Sequence, residues 1–325
     1  MMNTSIVTEF VLLGFPFLHP IRSFCFLVVL VMYCLSVLGN GFILTIVLID
    51  QKLQTPMYGF LCNLAFLEIC YTSIIIPKLL QTFVNTRTTI CYHCCMTQIF
   101  FIFSFAVVQL LILTVMAFDR YVAICKPLHY PVIMTKKVCI QLAMGCWLVG
   151  FAYNFFEAVQ LWTSPFCDSN IVDHFFCDFG PVLSLSCADT RLLEFLGLLS
   201  AISIVVITLS LIVVSYIYII STILRIPSSS GRKKAFSTCT SHLTVVSILY
   251  GAIAFLYIRP DMHSSFHLSK LVAILSTVVP PMLNPFIYTI RNGEVKEAFW
   301  RAVCKTRGPL KRMFLGSIGG TQVFE

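Results

Sequence analysis

Long apolar stretches separated by short polar segments run through the whole chain. Seven of them reach the roughly 20 residues that an α-helix needs to cross the hydrocarbon core of a bilayer. They lie near residues 24–49, 58–79, 95–121, 139–162, 195–224, 238–258 and 268–290. Lipid offers no partners to an open backbone, and the alternation within each stretch is too weak for barrel strands. The pattern therefore predicts an all-α membrane protein, a bundle of seven transmembrane helices.

Composition agrees with this prediction. Hydrophobic residues make up 58% of the chain and charged residues 11%, whereas soluble domains have about 45–50% and about 25%. Much of the surface must therefore face something other than water. The stretch 24–49 is also longer than the core of a cleavable signal, which has about 7 to 15 residues. We expect it to remain as the first span.

The distribution of basic residues predicts the orientation of the bundle. With the amino terminus outside, only six of the 22 basic residues fall on the outer side, as the positive-inside rule requires. We therefore expect an extracellular segment (residues 1–23), a transmembrane domain (24–290), and a short amphipathic eighth helix with a cytoplasmic tail (291–325), in a multi-pass protein of the cell membrane. The sequon at Asn3 is then a glycosylation site. The net charge of +8 belongs to the inner face and does not indicate nucleic acid.

An acid and a base stand side by side at the end of the third stretch. Asp119 and Arg120 follow a run that is almost free of charge, residues 100–118. Because such charges are costly in hydrocarbon, they should lie at a membrane boundary and face protein. Taken alone, they could be a snorkelling interfacial pair. The whole string MAFDRYVAICKPLHYP, residues 116–131, resembles the end of the third span in vertebrate olfactory receptors, a family of rhodopsin-like G-protein-coupled receptors, in its tetrapod-type subgroup.

Two further strings carry the resemblance. KAFSTCTSHL, residues 234–243, resembles the most family-specific signature of olfactory receptors, and PPMLNPFIY, residues 280–288, resembles the superfamily switch motif. The resemblance implies a receptor rather than an enzyme, without a cofactor, whose partners are an odorant, a stimulatory G protein and the lipid bilayer. The residues it implies for activation and G-protein coupling are Asp119, Arg120, Tyr121, Tyr216, Lys234, His242, Asn284, Pro285 and Tyr288. His242 has a plainer alternative, an ordinary packed histidine.

Polar side chains inside the apolar stretches are the next candidates. Glu68 lies deep in the second stretch, where an acid must be neutral, paired or hydrated, and is a functional-site hypothesis by default. The resemblance places it at the acidic position that related receptors use for a sodium ion and for relaying activation. Asn40 needs a hydrogen-bond partner on another helix. Pro285 removes a backbone donor in the seventh stretch, and we expect Asn284 to satisfy the groups that it frees.

The outer half of the third stretch carries no counter-charge for a cationic ligand. We therefore expect a small, neutral, mostly apolar volatile ligand. Helical spacing and the resemblance place the ligand-binding residues at Ile102, Phe103, Ala106, Val107, Ser200, Ile204, Ile253, Ala254, Tyr257, Ile274 and Thr277. Hydroxyl groups would come from Ser200, Tyr257 and Thr277. The alternative for each of these residues is ordinary packing between helices.

Six of the 15 cysteines fall on the outer side, where an oxidising medium allows disulfides. The resemblance implies two bridges, Cys95 to Cys177 and Cys167 to Cys187, which would staple the long loop 163–194 as a lid. Cys91 and Cys94 have a C-x-x-C spacing that elsewhere indicates redox or zinc chemistry. With one such pair we expect no metal site, but free thiols or a local bridge, and either cysteine could compete with Cys95.

Three rival classes fit less well. A transporter usually shows inverted repeats with paired broken helices, and an intramembrane hydrolase needs a catalytic motif; we find neither pattern. A non-olfactory receptor of the same fold is the closest competitor, and the string at 234–243 argues against it. The serine, glycine and basic segment 226–234 is expected to be a flexible linker between the fifth and sixth spans.

Overall fold

Seven long helices form the body of the protein. The structure, a computed structural model, describes residues 7–85, 87–167, 169–257 and 266–291, and after these only 295, 297, 298 and 301. Each predicted stretch coincides with one helical span, the fourth of them interrupted once, which confirms the seven-helix bundle. The spans, numbered first to seventh, are Arg22–Ile49, Pro56–Val84, Tyr92–Cys125, Lys136–Thr163, Arg191–Leu224, Ser229–Tyr257 and Phe266–Arg291. Short helical turns lie at Pro16–Ile21, Gln51–Leu53, Tyr130–Ile133 and Phe179–Leu183.

Local sequence explains where the spans begin and break. Pro56 opens the second span at a position whose N–H would have no helical partner. The side chain of Thr135 accepts a hydrogen bond from the Val138 N–H and caps the fourth span. That span is interrupted at Asn154, between Lys136–Tyr153 and Phe155–Thr163.

The third span lies at the centre of the bundle. Val108, Ile112 and Leu113 are fully buried in the largest apolar core. The first and fifth spans instead expose large apolar side chains, such as Leu38 and Ile217, on their outer faces. This inside-out distribution is expected of helices that face lipid.

A three-stranded sheet, which we did not predict, covers one end of the bundle. Its strands are β1 (Glu9–Leu12), β2 (Thr88–Cys91) and β3 (Ile171–Val172), in the order β2-β1-β3. β1 pairs antiparallel with β2 and parallel with β3. We call this the sheet end, and the opposite end, which carries Arg120, the Arg120 end.

The segment expected to be a flexible linker is partly helical. The sixth span begins at Ser229, and the Ser228 hydroxyl accepts a hydrogen bond from the Gly231 N–H at 3.2 Å, so this end of the helix is capped. Most of the predicted eighth helix lies outside the described residues. Of those described, Val295 and Ala298 are helical and buried, and Arg301 forms an ion pair with Asp50 at 2.8 Å.

Candidate ligand and switch sites

A carboxylate holds Arg120 in place. Asp119 accepts hydrogen bonds from both Nε and Nη2 of Arg120 and, at 2.8 Å, from the Tyr130 hydroxyl. The Asp119 side chain is 1% exposed and that of Arg120 is 14% exposed. Burial, and after it the nearby Asp119, raises the pKa of Tyr130, so its hydroxyl keeps the proton it donates. The arginine fork is therefore occupied within its own helix and the adjacent loop.

A second contact joins three spans near this ion pair. The Tyr216 hydroxyl lies 2.9 Å from His242 Nδ1, and His242 Nε2 lies 3.0 Å from the Leu113 carbonyl oxygen. Since a carbonyl only accepts, Nε2 carries a proton and donates it to Leu113. Both ring nitrogens of a buried histidine are thus used to tie the third, fifth and sixth spans together. We call this set the histidine latch.

Two other residues predicted to act at this end have different surroundings. Tyr121 lies beside Tyr218 of the fifth span, with ring centroids 5.8 Å apart, and Lys126 lies over its ring. The side chain of Lys234 lies outside the described residues.

The buried acid of the second span is paired with the seventh span. Asn284 donates a hydrogen bond to Glu68 Oε1, and Glu68 is fully buried. Within the described part of the chain, three nearby buried atoms have no hydrogen-bond partner: Glu68 Oε2, Asn284 Oδ1 and the Tyr288 hydroxyl. A buried polar cluster that is only partly satisfied can exist in more than one arrangement.

Pro285 leaves one backbone carbonyl of the seventh span without its helical donor. Asn40 donates a hydrogen bond to that carbonyl, and Asn284, which we predicted to do so, does not. Pro285 has no N–H for the carbonyl four residues earlier, which belongs to Pro281. Asn40 Nδ2 donates to that carbonyl at 3.0 Å, which confirms the expected partner on another helix. Asn284 is already engaged with Glu68. A Cβ added at Gly39 would lie 2.9 Å from Pro285 Cβ, so only glycine lets the two helices approach this closely.

The predicted ligand residues divide between neighbouring apolar clusters. Ile102 packs with Phe175 of the loop, and Ile274 packs against the same cluster. Val107 and Ile204 belong to the large core, and Ile253 packs against it. Phe103 forms an edge-to-face contact with Phe179 at 6.2 Å. Ala106 and Ala254 are half-buried and Thr277 is 4% exposed, while the side chain of Tyr257 lies outside the described residues.

Ser200 is already occupied by an acid that we did not predict. Its hydroxyl donates to Glu157 Oε1 at 2.6 Å, and its carbonyl accepts from the Tyr153 hydroxyl. The expected free donor at Ser200 is therefore absent from this arrangement. The one available sequence signal for Glu157 was that it is the single charged residue of an otherwise mostly apolar helix, Phe155–Thr163.

The loop between the fourth and fifth spans is stapled as a lid. Disulfides join Cys95 to Cys177 and Cys167 to Cys187, and a third joins Cys91 to Cys94. The C-x-x-C pair is therefore a local bridge, and neither of its cysteines replaces Cys95. Gln98 adds two contacts: it accepts from the Cys177 N–H and donates to the Ile74 carbonyl, each at 2.9 Å.

A buried lysine fixes the same lid to the seventh span. Lys270 is 2% exposed; it pairs with Asp173 and donates to the Gly14 carbonyl at 3.0 Å. The sequence predicted only that Lys270 lies on the outer side. Burial, and after it the charge of Lys270, lowers the pKa of the neighbouring His174 to about 3. The histidine is therefore neutral within the lid.

These features define a multi-pass helical membrane protein with a stapled lid at one end and a partly buried ion pair of Asp119 and Arg120 at the other. The family profile described as "Olfactory receptor" matches residues 29–306. The chain belongs to the olfactory receptor family, which consists of rhodopsin-like G-protein-coupled receptors and not of enzymes.

Individual relatives match over nearly their whole length. Human olfactory receptor 6X1 is 52% identical over 312 residues, which is 96% of this chain and 100% of the relative. Human olfactory receptor 6C3 is 50% identical over 94% of this chain and 98% of its own. Olfactory receptor 287 of Rattus norvegicus is 47% identical over 93% and 97%.

Proposed function

We propose that the protein is an odorant receptor that binds a small, neutral, mostly apolar volatile within the bundle and activates a stimulatory G protein. The observation that carries this proposal is that the contact between Asp119 and Arg120 and the histidine latch occur together at one end of the bundle. Family membership supports odorant binding and G-protein coupling in general. The positive-inside bias supports an extracellular segment 1–23, a transmembrane domain 24–290 and a cytoplasmic segment 291–325.

The proposed chamber suits a neutral ligand. None of the eleven residues assigned to it in the sequence is charged. Glu157 lies beside the chamber, but one oxygen of its carboxylate already accepts from Ser200. A volatile of about 10 to 15 heavy atoms, held at roughly 0.4 to 0.6 kcal/mol per atom, gains about 4 to 9 kcal/mol and binds in the millimolar to sub-micromolar range.

The latch converts binding into a change at the Arg120 end. A ligand that packs better against a rearranged sixth span shifts the population towards that state, by as much as its affinities for the two states differ. Movement of the sixth span separates His242 from Leu113 and Tyr216. In the same state Arg120 leaves Asp119, and its fork becomes available to an acidic or carbonyl partner on the G protein.

The cluster around Glu68 acts as the relay. Asn284 and Tyr288 lie on the bent part of the seventh span and have unused hydrogen-bonding capacity. A small rotation of this span lets Asn284 and Tyr288 exchange hydrogen-bond partners around Glu68 without burying a new charge. In this proposal the seventh span with its partly satisfied cluster moves together with the sixth span and connects the chamber to the Arg120 end.

A cell assay tests the proposal. Cells that express the chain are exposed to a panel of volatiles while cyclic nucleotide is recorded. We expect responses to one or more neutral volatiles, and loss of these responses in Arg120→Ala at an unchanged surface level. Ala106→Phe, which fills the chamber, should raise the effective concentration at least tenfold. Leu148→Phe, which lies on an exposed face of the fourth span, is the matched control and should change nothing.

Two results would count against the proposal. A response that survives in Arg120→Ala would show that Arg120 is not required for coupling to the G protein. An equal loss in Ala106→Phe and Leu148→Phe shows that the chamber is not where the ligand binds. The Glu68→Gln variant separately tests the relay, because a normal response in that variant excludes it.

A further inference from the structure

An open groove lies at the sheet end between the second and third spans. Its volume is about 730 Å³, within the range of about 300–1,000 Å³ that is usual for small-molecule sites. Its walls come from the second span, from β2 and from the start of the third span, and include the Cys91–Cys94 bridge. None of the residues that line it belongs to the proposed odorant chamber.

The polarity of the groove changes along its length. On the second span Ile74, Lys78 and Gln81 follow one another at helical spacing, so the apolar residue lies deepest and the amide nearest the sheet. On the third span His93 and Phe101 repeat this order. Eight residues separate the two, and at 1.5 Å per residue this gives a groove about 12 Å long. A ligand that fits is an amphiphile with one polar end and one apolar chain.

The polar end of the groove carries positive charge. Lys78 donates a hydrogen bond to Gln81 Oε1 at 2.9 Å, and no carboxylate within the described part of the chain pairs with it. None of the residues that line the groove is acidic. The third span also begins here, and the amino-terminal end of a helix favours an anion. The complementary polar group is therefore anionic.

The apolar end of the groove is formed by Phe101, whose ring packs against other aromatic rings. Phe101 lies against Phe105 at 5.6 Å and against Phe151 at 5.7 Å, within an aromatic cluster of the third and fourth spans. The ring therefore offers apolar surface on which a hydrocarbon chain can pack.

From these features we propose that the groove binds a medium-chain carboxylic acid, with its carboxylate at Lys78 and its chain along Ile74 and Phe101. This site is separate from the odorant chamber. It also touches the lid, because Gln98 lines the groove and holds both the Cys177 N–H and the Ile74 carbonyl. A bound acid braces the second and third spans against the lid and so stabilises the sheet end.

Saturation binding of labelled decanoate to the full chain in phosphatidylcholine nanodiscs tests this proposal. We expect saturable binding that Lys78→Gln weakens by about tenfold, since a hydrogen bond to a charged group is lost. Decanol should compete weakly and equally in both proteins. Arg87→Gln is the matched control, because Arg87 is an exposed base after the second span that does not line the groove.

Two further variants separate this site from the chamber. Thr97→Phe fills the groove and should abolish decanoate binding, whereas Ala106→Phe fills the chamber and should leave it unchanged. The proposal is overturned by equal affinity in Lys78→Gln, by an equal loss in Arg87→Gln, or by binding that Ala106→Phe removes and Thr97→Phe retains. Because the readout is binding and not signalling, failure of the proposed odorant response leaves this result interpretable.

Discussion

The two ends of the bundle are held together by different kinds of bond. At the sheet end, three disulfides, a three-stranded sheet and the Lys270 contacts fix the lid. At the Arg120 end, the described cysteines Cys125, Cys139 and Cys239 are free, and side-chain hydrogen bonds join the spans. Hydrogen bonds exchange partners at little net cost, whereas disulfides do not. The comparison indicates that a change of shape is concentrated at the Arg120 end.

The largest effect should come from removing the central staple of the sheet end. Cys95→Ser loses the disulfide to Cys177, and loss of a native disulfide typically costs about 2–5 kcal/mol. We expect surface expression to fall to background, as measured by antibody labelling of intact cells. Cys34→Ser, at an exposed free cysteine of the first span, is the control and should express normally. Equal expression of the two variants would show that the sheet end does not depend on this bond.

Breaking the latch should instead affect signalling. His242→Phe removes the hydrogen bonds to Tyr216 and Leu113 while it keeps an aromatic ring in the core. If the arrangement that contains the latch is destabilised by about 1 kcal/mol, the population of the rearranged state, and with it ligand-independent cyclic nucleotide, rises about fivefold. Thr240→Ala, which loses only a hydrogen bond within its own helix, should leave basal activity unchanged. Unchanged basal activity in His242→Phe, with the agonist response intact, would contradict a latch.

Acid should loosen the sheet end through His174. Burial keeps its pKa at about 3 in the folded lid, whereas the unfolded chain takes up this proton below about pH 6.5. The unfolded state then binds more protons, so stability falls as the pH falls below about 6.5, by about 2 kcal/mol at pH 5. We expect the melting temperature in detergent to drop over this range and the drop to be smaller in His174→Gln.

The comparison with His174→Gln is needed because a second group in the lid acts in the opposite direction. Burial raises the pKa of Asp178 to about 6, so the folded lid takes up this proton first and gains stability as the pH falls. Asp178 contributes equally to both proteins, and the difference between their pH profiles isolates the histidine. Parallel profiles would show that His174 does not control the acid response.

The smallest effect is expected at Lys270. Lys270→Met removes the contacts to Asp173 and Gly14 but keeps most of the buried volume. Asp173 is half exposed, so its lost ion pair contributes about 1 kcal/mol or less. Faster hydrogen exchange at residues 171–177 is the measurement. Arg191→Met, which loses a solvent-exposed pair with Asp189, is the control and should show no change in hydrogen exchange. An equal change in both variants would show that Lys270 does not hold the lid in place.

The spans were predictable because a single physical quantity, transfer of apolar side chains into lipid, dominates each of them. The amide of Asn40 was predicted to need a distant partner for the same reason, and it has one in the Pro281 carbonyl. The choice between Asn40 and Asn284 as the donor was not predictable. It depends on which helix Glu68 faces, and hydropathy contains no information about helix rotation.

The sheet and the buried lysine were missed for a related reason. β1, β2 and β3 contain four, four and two residues, too few for a recognisable alternation. Each becomes a strand only because the helices bring distant segments together. Lys270 is buried because the Gly14 carbonyl and Asp173 meet it from two such segments. The local sequence around a lysine does not reveal partners of this kind.

The middle position of β1 has a consequence for how the receptor is made. The Asn170 side chain reaches the Glu9 carbonyl across 161 residues, and β1 can pair with β3 only after four helices have been synthesised and inserted. Until then the edge of β1 that β3 covers has no partner strand, whereas the pairing with β2 needs only the first two spans. The sheet is therefore completed late in synthesis, after the segment that follows the fourth span has been made.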